Sequence, residues 1–386
     1  MNSRVIRLAA PTIAALFFCR PAPAARPKSL FNGKDLSGWH EVGGGKWSAQ
    51  GGTIVGETGD GRYGWLATDK EYGDFALELR FKTEAPGNSG VQFRSHVCQG
   101  TMKGYQAELD PARGHDTGGV WEEGLERGWL ARPPRSLDNV LREGQWNHYR
   151  ISMIGTHITT WLNGVKMVEA DDDRAVSGVI ALQVHSGDTR VCVRWKDLRI
   201  NDLGYGRGWV ALFNGRDLTG WKKYGEEKWA AEQGDIVGES TVGGYGYLGT
   251  EKTYRNFVLR AKFKAETHGN SGLFFHSTLQ GTDIRGVQAE IDPTPSNMNA
   301  GLYESGGRGW LAQPNKDAQC LMRLDDWNEM WVACKGSRTA AYLNGFQAAA
   351  ADDPEPRFTD GVIALQLHSG GGVKMRFKDI YIKELP

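Results

Sequence analysis

Three things are scarce in this chain. Cysteine is one, with five in 386 residues, none at the paired spacing of a zinc finger. A surplus of charge is another: Lys+Arg and Asp+Glu number 46 each, so no overall field draws the protein to nucleic acid or anionic membrane. Long apolar runs are the third, since no stretch beyond the N-terminus approaches the ~18 apolar residues of a transmembrane helix. Amphipathic helical patterns are hard to find as well. There is no phosphate-binding loop, no nucleophile elbow and no His-x-x-x-His pair.

What is abundant is glycine, at 52, and tryptophan, at 14. Short runs of alternating apolar and polar residues, broken by Gly, Asn-Gly and Asp-Gly, predict an all-β protein. Phe75, Leu77, Leu79 and Phe81 alternate with Glu78, Arg80 and Lys82 as in a half-buried antiparallel strand. Ile158–Leu162, the turn Asn163-Gly164 and Val165–Val168 read as a hairpin. The first residues look like an export signal. Arg4 and Arg7 precede an apolar stretch from Leu8 to Phe18, and Ala22-Pro23-Ala24 supplies small residues for cleavage. Residues 1–25 are therefore expected to be a signal peptide and the mature protein to be periplasmic or secreted. Lipid attachment at Cys19 is discounted because Phe17 and Phe18 are too bulky. The remaining cysteines, Cys98, Cys192, Cys320 and Cys334, do not occupy matching positions in the two halves, and the sequence alone does not pair them.

The chain is written twice. Phe31-Asn32-Gly33-Lys34-Asp35-Leu36-Ser37-Gly38-Trp39 returns as Phe213-Asn214-Gly215-Arg216-Asp217-Leu218-Thr219-Gly220-Trp221, displaced by 182. The displacement holds, within one residue, through Asn88-Ser89-Gly90 and Asn270-Ser271-Gly272, and through Arg127-Gly128-Trp129 and Arg308-Gly309-Trp310. So long a period indicates domain duplication. Two domains are expected, 26–203 and 208–386, joined by a Gly-rich link, with contact between them possible. A dozen short strands per copy suits a two-sheet jelly roll with one concave face.

The candidate chemistry sits mainly on one repeated stretch, Gly104-Tyr105-Gln106-Ala107-Glu108-Leu109-Asp110, with its copy Gly286-Val287-Gln288-Ala289-Glu290-Ile291-Asp292. In a strand, Gln106, Glu108 and Asp110 share a face while Tyr105, Ala107 and Leu109 enter the core. Asp and Glu are poor strand formers, so keeping them twice favours acid–base work over the two plainer readings, a solvated strand face or an aspartate that anchors the loop at Pro111. Gln183 and His185, with Gln366 and His368, share a strand face, and each histidine suits a general base, a ligand to a sugar hydroxyl, a metal ligand or a satisfied structural role. Glu122, Arg127 and Trp129, matched by Glu304, Arg308 and Trp310, suit a polyhydroxylated ring: aromatics for its apolar faces, charges for its hydroxyls. The tryptophans equally suit a core. Arg94 becomes His276 in the second copy, where a change in anion or carbonyl handling is expected. A cleft of Gln, Glu, Asp and His could also hold a divalent cation through oxygen ligands, though no spacing requires one.

Together these motifs resemble the 3-keto-disaccharide hydrolase family. The resemblance rests on Phe-Asn-Gly-Lys-Asp-Leu-Ser-Gly-Trp, Asn-Ser-Gly-Val-Gln-Phe-Arg, Gly-Tyr-Gln-Ala-Glu-Leu-Asp, Leu-Asn-Gly and Gly-Val-Ile-Ala-Leu-Gln-Val-His-Ser-Gly, and it covers nearly all of the mature chain. It implies a concanavalin A-like jelly roll acting on an oxidised glycoside. The glycosidic bond of a 3-keto sugar would be broken by elimination, with or without hydration. Under that reading Glu108, Asp110 and His185, with Glu290, Asp292 and His368, supply acid and base, while Arg127 or a bound cation offsets the enolate charge. Two other readings compete: a non-catalytic carbohydrate-binding module, and a glycosidase using Glu108 and Asp110 as a carboxylate pair.

Overall fold

The computed structural model describes residues 27–111, 116–187, 189–294 and 296–386. The expected signal peptide, residues 1–25, lies outside the described residues, as does His115. Among those described, the protein is almost wholly β, with four antiparallel sheets, two in each half. The first half stacks an eight-stranded sheet on a seven-stranded one, and the second repeats both with the same strand order.

The sheets close over a core that the alternating strands dictate. Asp74–Thr83 points Phe75, Leu77, Leu79 and Phe81 inward, all essentially unexposed. They meet Tyr149, Ile151 and Met153 from Asn147–Ile154. From the other sheet come Phe93, Tyr105, Ala107, Leu109, Ile180 and Leu182. The expected hairpin is His157–Leu162 and Val165–Asp171. Its turn residues Asn163 and Gly164 have φ of 50° and 86°, the left-handed pair that lets a two-residue loop follow the strand twist.

The seven-stranded sheet of the first half runs Trp129–Ala131, Val120–Glu123, Thr101–Leu109, Ser89–Cys98, Gly178–Val184, Gly64–Tyr72 and Trp39–Gly43. Its inner face joins the core and its outer face carries the polar residues. In the second half the equivalent central strands are Asp283–Ile291, Ser271–Gln280 and Gly361–Leu367.

The halves touch along one side. A disulfide joins Cys98 to Cys320 across 222 residues of sequence, while Cys192 and Cys334 stay free and buried. Ala175 pairs as an isolated bridge with Phe346. Arg323 meets Glu71 at 2.9 Å and Arg338 meets Asp173 at 2.8 Å. Tyr205 and Trp209, from the segment joining the halves, pack edge-on against Trp331.

Candidate functional site

The site begins with a missing side chain. Gly90 stands opposite Glu108, and a Cβ there would lie 2.5 Å from the Gln106 side chain. Glycine therefore lets Gln106 fold over its neighbouring strand. The same holds for Gly272 and Gln288 in the second half, at 2.8 Å. From this position Gln106 accepts from Gln92 Nε2 at 2.6 Å and donates through its own Nε2 to Glu108 Oε2 at 2.9 Å. Asn88 Nδ2 donates to the other carboxylate oxygen at 2.5 Å. Glu290 has the same two donors, Asn270 at 2.6 Å and Gln288.

Glu108 and Glu290 are buried, 5 % and 7 % exposed. Burial disfavours the charged form and pushes Glu108 up to about 7; the amide donors from Gln106 and Asn88 oppose that rise. Nearby Asp110 and Glu123 add to it. Glu290 is raised for the same leading reason, burial, and His368 nearby counters it.

His185 and His368 each meet a tyrosine. His185 Nδ1 faces the Ser186 carbonyl at 2.7 Å and must donate to it, so Nε2 is left to meet the Tyr63 hydroxyl at 2.9 Å. In the second half His368 Nδ1 lies 2.9 Å from the Ser369 carbonyl and Nε2 lies 3.2 Å from the Tyr245 hydroxyl. Burial raises the Tyr63 phenol, a hydrogen bond with Ser186 opposes this, and the charges of Glu123 and Glu108 add to the rise. The phenol therefore stays protonated at neutral pH, near enough to the Glu108 carboxylate to feel its charge.

In the second half these groups surround a cavity of about 520 Å³. Gln288, Glu290, Asp292, Gln366, His368 and Trp310 all line it, with Asn270, Tyr245, Tyr247 and Tyr303. In the first half, Trp121 stands across from Gln106 on the same face and packs edge-on against Trp129. Gln183 Nε2 donates to Glu123 at 3.2 Å. Asp292 is engaged by its own loop. Burial raises its carboxyl, but Ser296, Thr294 and two backbone N–H groups outweigh this and leave it lowered. The backbone N–H of Asp110 is accepted by Thr117 Oγ1 at 3.0 Å.

Four of the expected residues do not reach the cleft. Glu122 faces the other side of its strand, opposite Tyr105, and is fully buried. Arg127 binds it through Nε and also reaches Asp172 at 2.6 Å. Glu304, Arg308 and Asp353 repeat the arrangement. These are structural ion clusters, and the cleft-facing neighbours on those strands are Trp121, Glu123, Tyr303 and Ser305. The expected substrate-binding roles of Glu122, Arg127, Glu304 and Arg308 are corrected accordingly.

Arg94 and His276 also turn away. Their φ values of 43° and 48° sit at a β-bulge in each strand, where the alternation of side chains is broken. Arg94 donates to the carbonyls of Gly73, Gly155 and Ala175 and to Asp74. His276 Nε2 meets the Arg255 carbonyl at 2.6 Å. Their exchange does not alter the clefts; Gln92 against Phe274, Trp65 against Tyr247 and Glu123 against Ser305 do.

Sequence reading passed over Tyr63 and Tyr245. A signal was present, since both copies carry Tyr-Gly after a glycine-bearing turn, at the common displacement of 182. Glu123 left no such trace because the second copy lacks it. Among the described residues no cluster of three or more His, Cys, Asp or Glu stands ready to hold a metal ion.

A family model described as the 3-keto-alpha-glucoside-1,2-lyase-like domain matches residues 26–201 and again 208–383. A 3-keto-disaccharide hydrolase of Bacteroides thetaiotaomicron is 33% identical over 78 residues, which are 18% of this chain and 27% of that protein. The match thus spans about a quarter of that relative. Among solved structures, a Parabacteroides distasonis protein provisionally described as a glycosyl hydrolase is 24% identical. It is covered to 94% by 46% of this chain, with a TM-score of 0.36. A Bacillus licheniformis β-glucanase is 16% identical and covered to 99% by 47% of this chain, with a TM-score of 0.35.

Proposed function

Because the chain belongs to the family of 3-keto-alpha-glucoside-1,2-lyase-like domains, present in two tandem copies, we propose that it cleaves glycosides already oxidised at carbon 3. The observation that carries this reading is the buried glutamic acid beside a histidine–tyrosine pair, repeated in both halves. A ketone at carbon 3 acidifies the hydrogen on carbon 2. Glu108, held near 7 by burial, is matched to removing that proton at neutral pH. The C2–H bond breaks, an enolate forms, and its electrons return to make the C1–C2 double bond as the C1–O bond breaks. Tyr63 gives the leaving oxygen its proton, and the proton that Glu108 took from C2 then restores the phenol, so both groups end as they began. Addition of water across the new double bond would complete a net hydrolysis. With Arg127 committed to Glu122 and Asp172, the enolate charge falls to the neutral amide N–H and phenol donors of the cleft.

Sugar binding has its own support. Asn88 Oδ1 and Gln183 Oε1 are buried acceptors without a protein partner, and so are Asn270 Oδ1 and Gln366 Oε1. An unmet buried acceptor costs about 1–3 kcal/mol, and the hydroxyls of a sugar would supply the missing donors. Trp310 and Tyr303 offer apolar rings beside them. The disulfide between Cys98 and Cys320 favours an oxidising compartment, which supports a periplasmic or secreted location.

The test is release of the leaving group from a 3-keto-glucoside by the double variant Glu108→Gln, Glu290→Gln. Loss of general-base catalysis should lower kcat by about 10²–10⁴; near-normal turnover would remove the proposal. An unoxidised disaccharide assayed beside it separates this chemistry from an ordinary glycosidase. Binding of the keto sugar without turnover would instead favour a lectin-like module.

A further inference from the structure

The first cleft's Asn88, Gln106, Glu108, Gln183, His185 and Tyr63 all have counterparts in the second, and among the positions where the two differ is the carboxylate of Glu123. Glu123 ends the Val120–Glu123 strand, and the displacement of 182 puts Ser305 in its place. Glu123 stands beside Gly104 in register, so no side chain on the neighbouring strand blocks its path inward. Its charge acts on both Glu108 and Tyr63, which places it inside the cleft. Its carboxylate also accepts from Gln183 Nε2 at 3.2 Å. Gln183 belongs to Gly178–Val184, and two further strands, Thr101–Leu109 and Ser89–Cys98, lie between the two elements in the sheet. The Glu123–Gln183 hydrogen bond is therefore a bar laid across the concave face.

The second cleft has no such bar. A serine side chain carries its oxygen one bond beyond Cβ, too short to cross two strands. Ser305 and Gln366 there both border the open cavity of about 520 Å³. Gln366, the counterpart of Gln183, turns instead toward Tyr247.

We propose that Glu123 is a specificity-determining residue: by bridging to Gln183 it confines the first cleft to a small glycoside, while Ser305 leaves the second open to a larger one. The inference rests on the keto-glycoside reading for its choice of substrate, but its content is the size of ligand each half accepts. A substituent beyond the first sugar ring must displace the Glu123–Gln183 contact in one half and nothing comparable in the other.

Each cleft is read in the full chain with its partner silenced. In the Glu290→Gln background, kcat/KM is measured for the 3-keto forms of methyl glucoside and of a disaccharide, with and without Glu123→Ser. In the Glu108→Gln background the same pair is measured with and without Ser305→Glu. Glu123→Ser should raise the disaccharide-to-methyl-glucoside ratio at least about tenfold, and Ser305→Glu should lower it comparably. Glu123→Gln, which keeps the length and the reach to Gln183, should retain the original ratio. Ratios that stay within twofold in both backgrounds, or a Glu123→Gln ratio that follows Glu123→Ser, would overturn the inference. If no single-cleft chain turns over either sugar, the catalytic reading has failed. The same ratios are then taken from calorimetric dissociation constants, with the same two outcomes for Glu123.

Discussion

Glu108 is the residue on which the pH behaviour turns. Its carboxyl rises from 4.5 to about 7 on folding, chiefly through burial. The folded state then holds the proton more tightly than the unfolded one. The stability associated with this group is thus full below about 4.5 and is lost as pH rises through about 7. A shift of that size corresponds to a difference on the order of 3 kcal/mol. Glu108→Gln cannot ionise, so its melting temperature should gain on the parent's between pH 4.5 and pH 8. Thermal unfolding of both proteins across that range checks this, and parallel curves would contradict it. Activity runs the other way, since proton abstraction needs the carboxylate. In the Glu290→Gln background kcat should climb through a limb near pH 7.

At the scale of the strand, alternation made most of the site legible and also misled. Gln106, Glu108 and Gln183 share the outer face because their strands are regular there, and period two was enough to find them. Arg94 and His276 broke the pattern because left-handed bulges rotate those positions, and nothing in Phe-Arg-Ser or Phe-His-Ser announces a bulge. Glu122 failed for a different reason. Val120–Glu123 is only four residues long, too short for alternation to assign the face that Glu122 takes. The structure makes it an anchor for Arg127 and Asp172, fully buried while the guanidinium is 37% exposed. Arg127→Leu removes the main partner of the Glu122 carboxylate and leaves it only Arg174 at 3.8 Å, so it should cost up to about 3 kcal/mol, the low end for such pairs because the arginine is partly solvated. Denaturant unfolding measures the loss. The KM for a 3-keto-glucoside should stay within twofold, where a substrate-binding arginine would raise it far more.

At the scale of the whole molecule, the duplication was plain in the sequence because insertions between the halves are nearly absent and one displacement, within a residue, carries the shared motifs. The bond tying the halves together was not. Cys98 and Cys320 occupy unlike positions in their domains, so no framework shared by the copies could pair them, and only the packing of one half on the other brings them within reach. Replacing both with serine should lower stability by about 2–4 kcal/mol, measured by denaturant unfolding under non-reducing conditions. Sugar affinity should stay within twofold, since neither cysteine borders a cleft carboxyl.

The most direct measurement follows leaving-group release from a 3-keto-glucoside by the full chain and by its Glu108→Gln, Glu290→Gln variant, with the unoxidised glucoside run in parallel. The expected result is turnover of the keto form alone, falling at least about a hundredfold in the variant. Equal rates in parent and variant, or cleavage of the unoxidised sugar at a comparable rate, would contradict it.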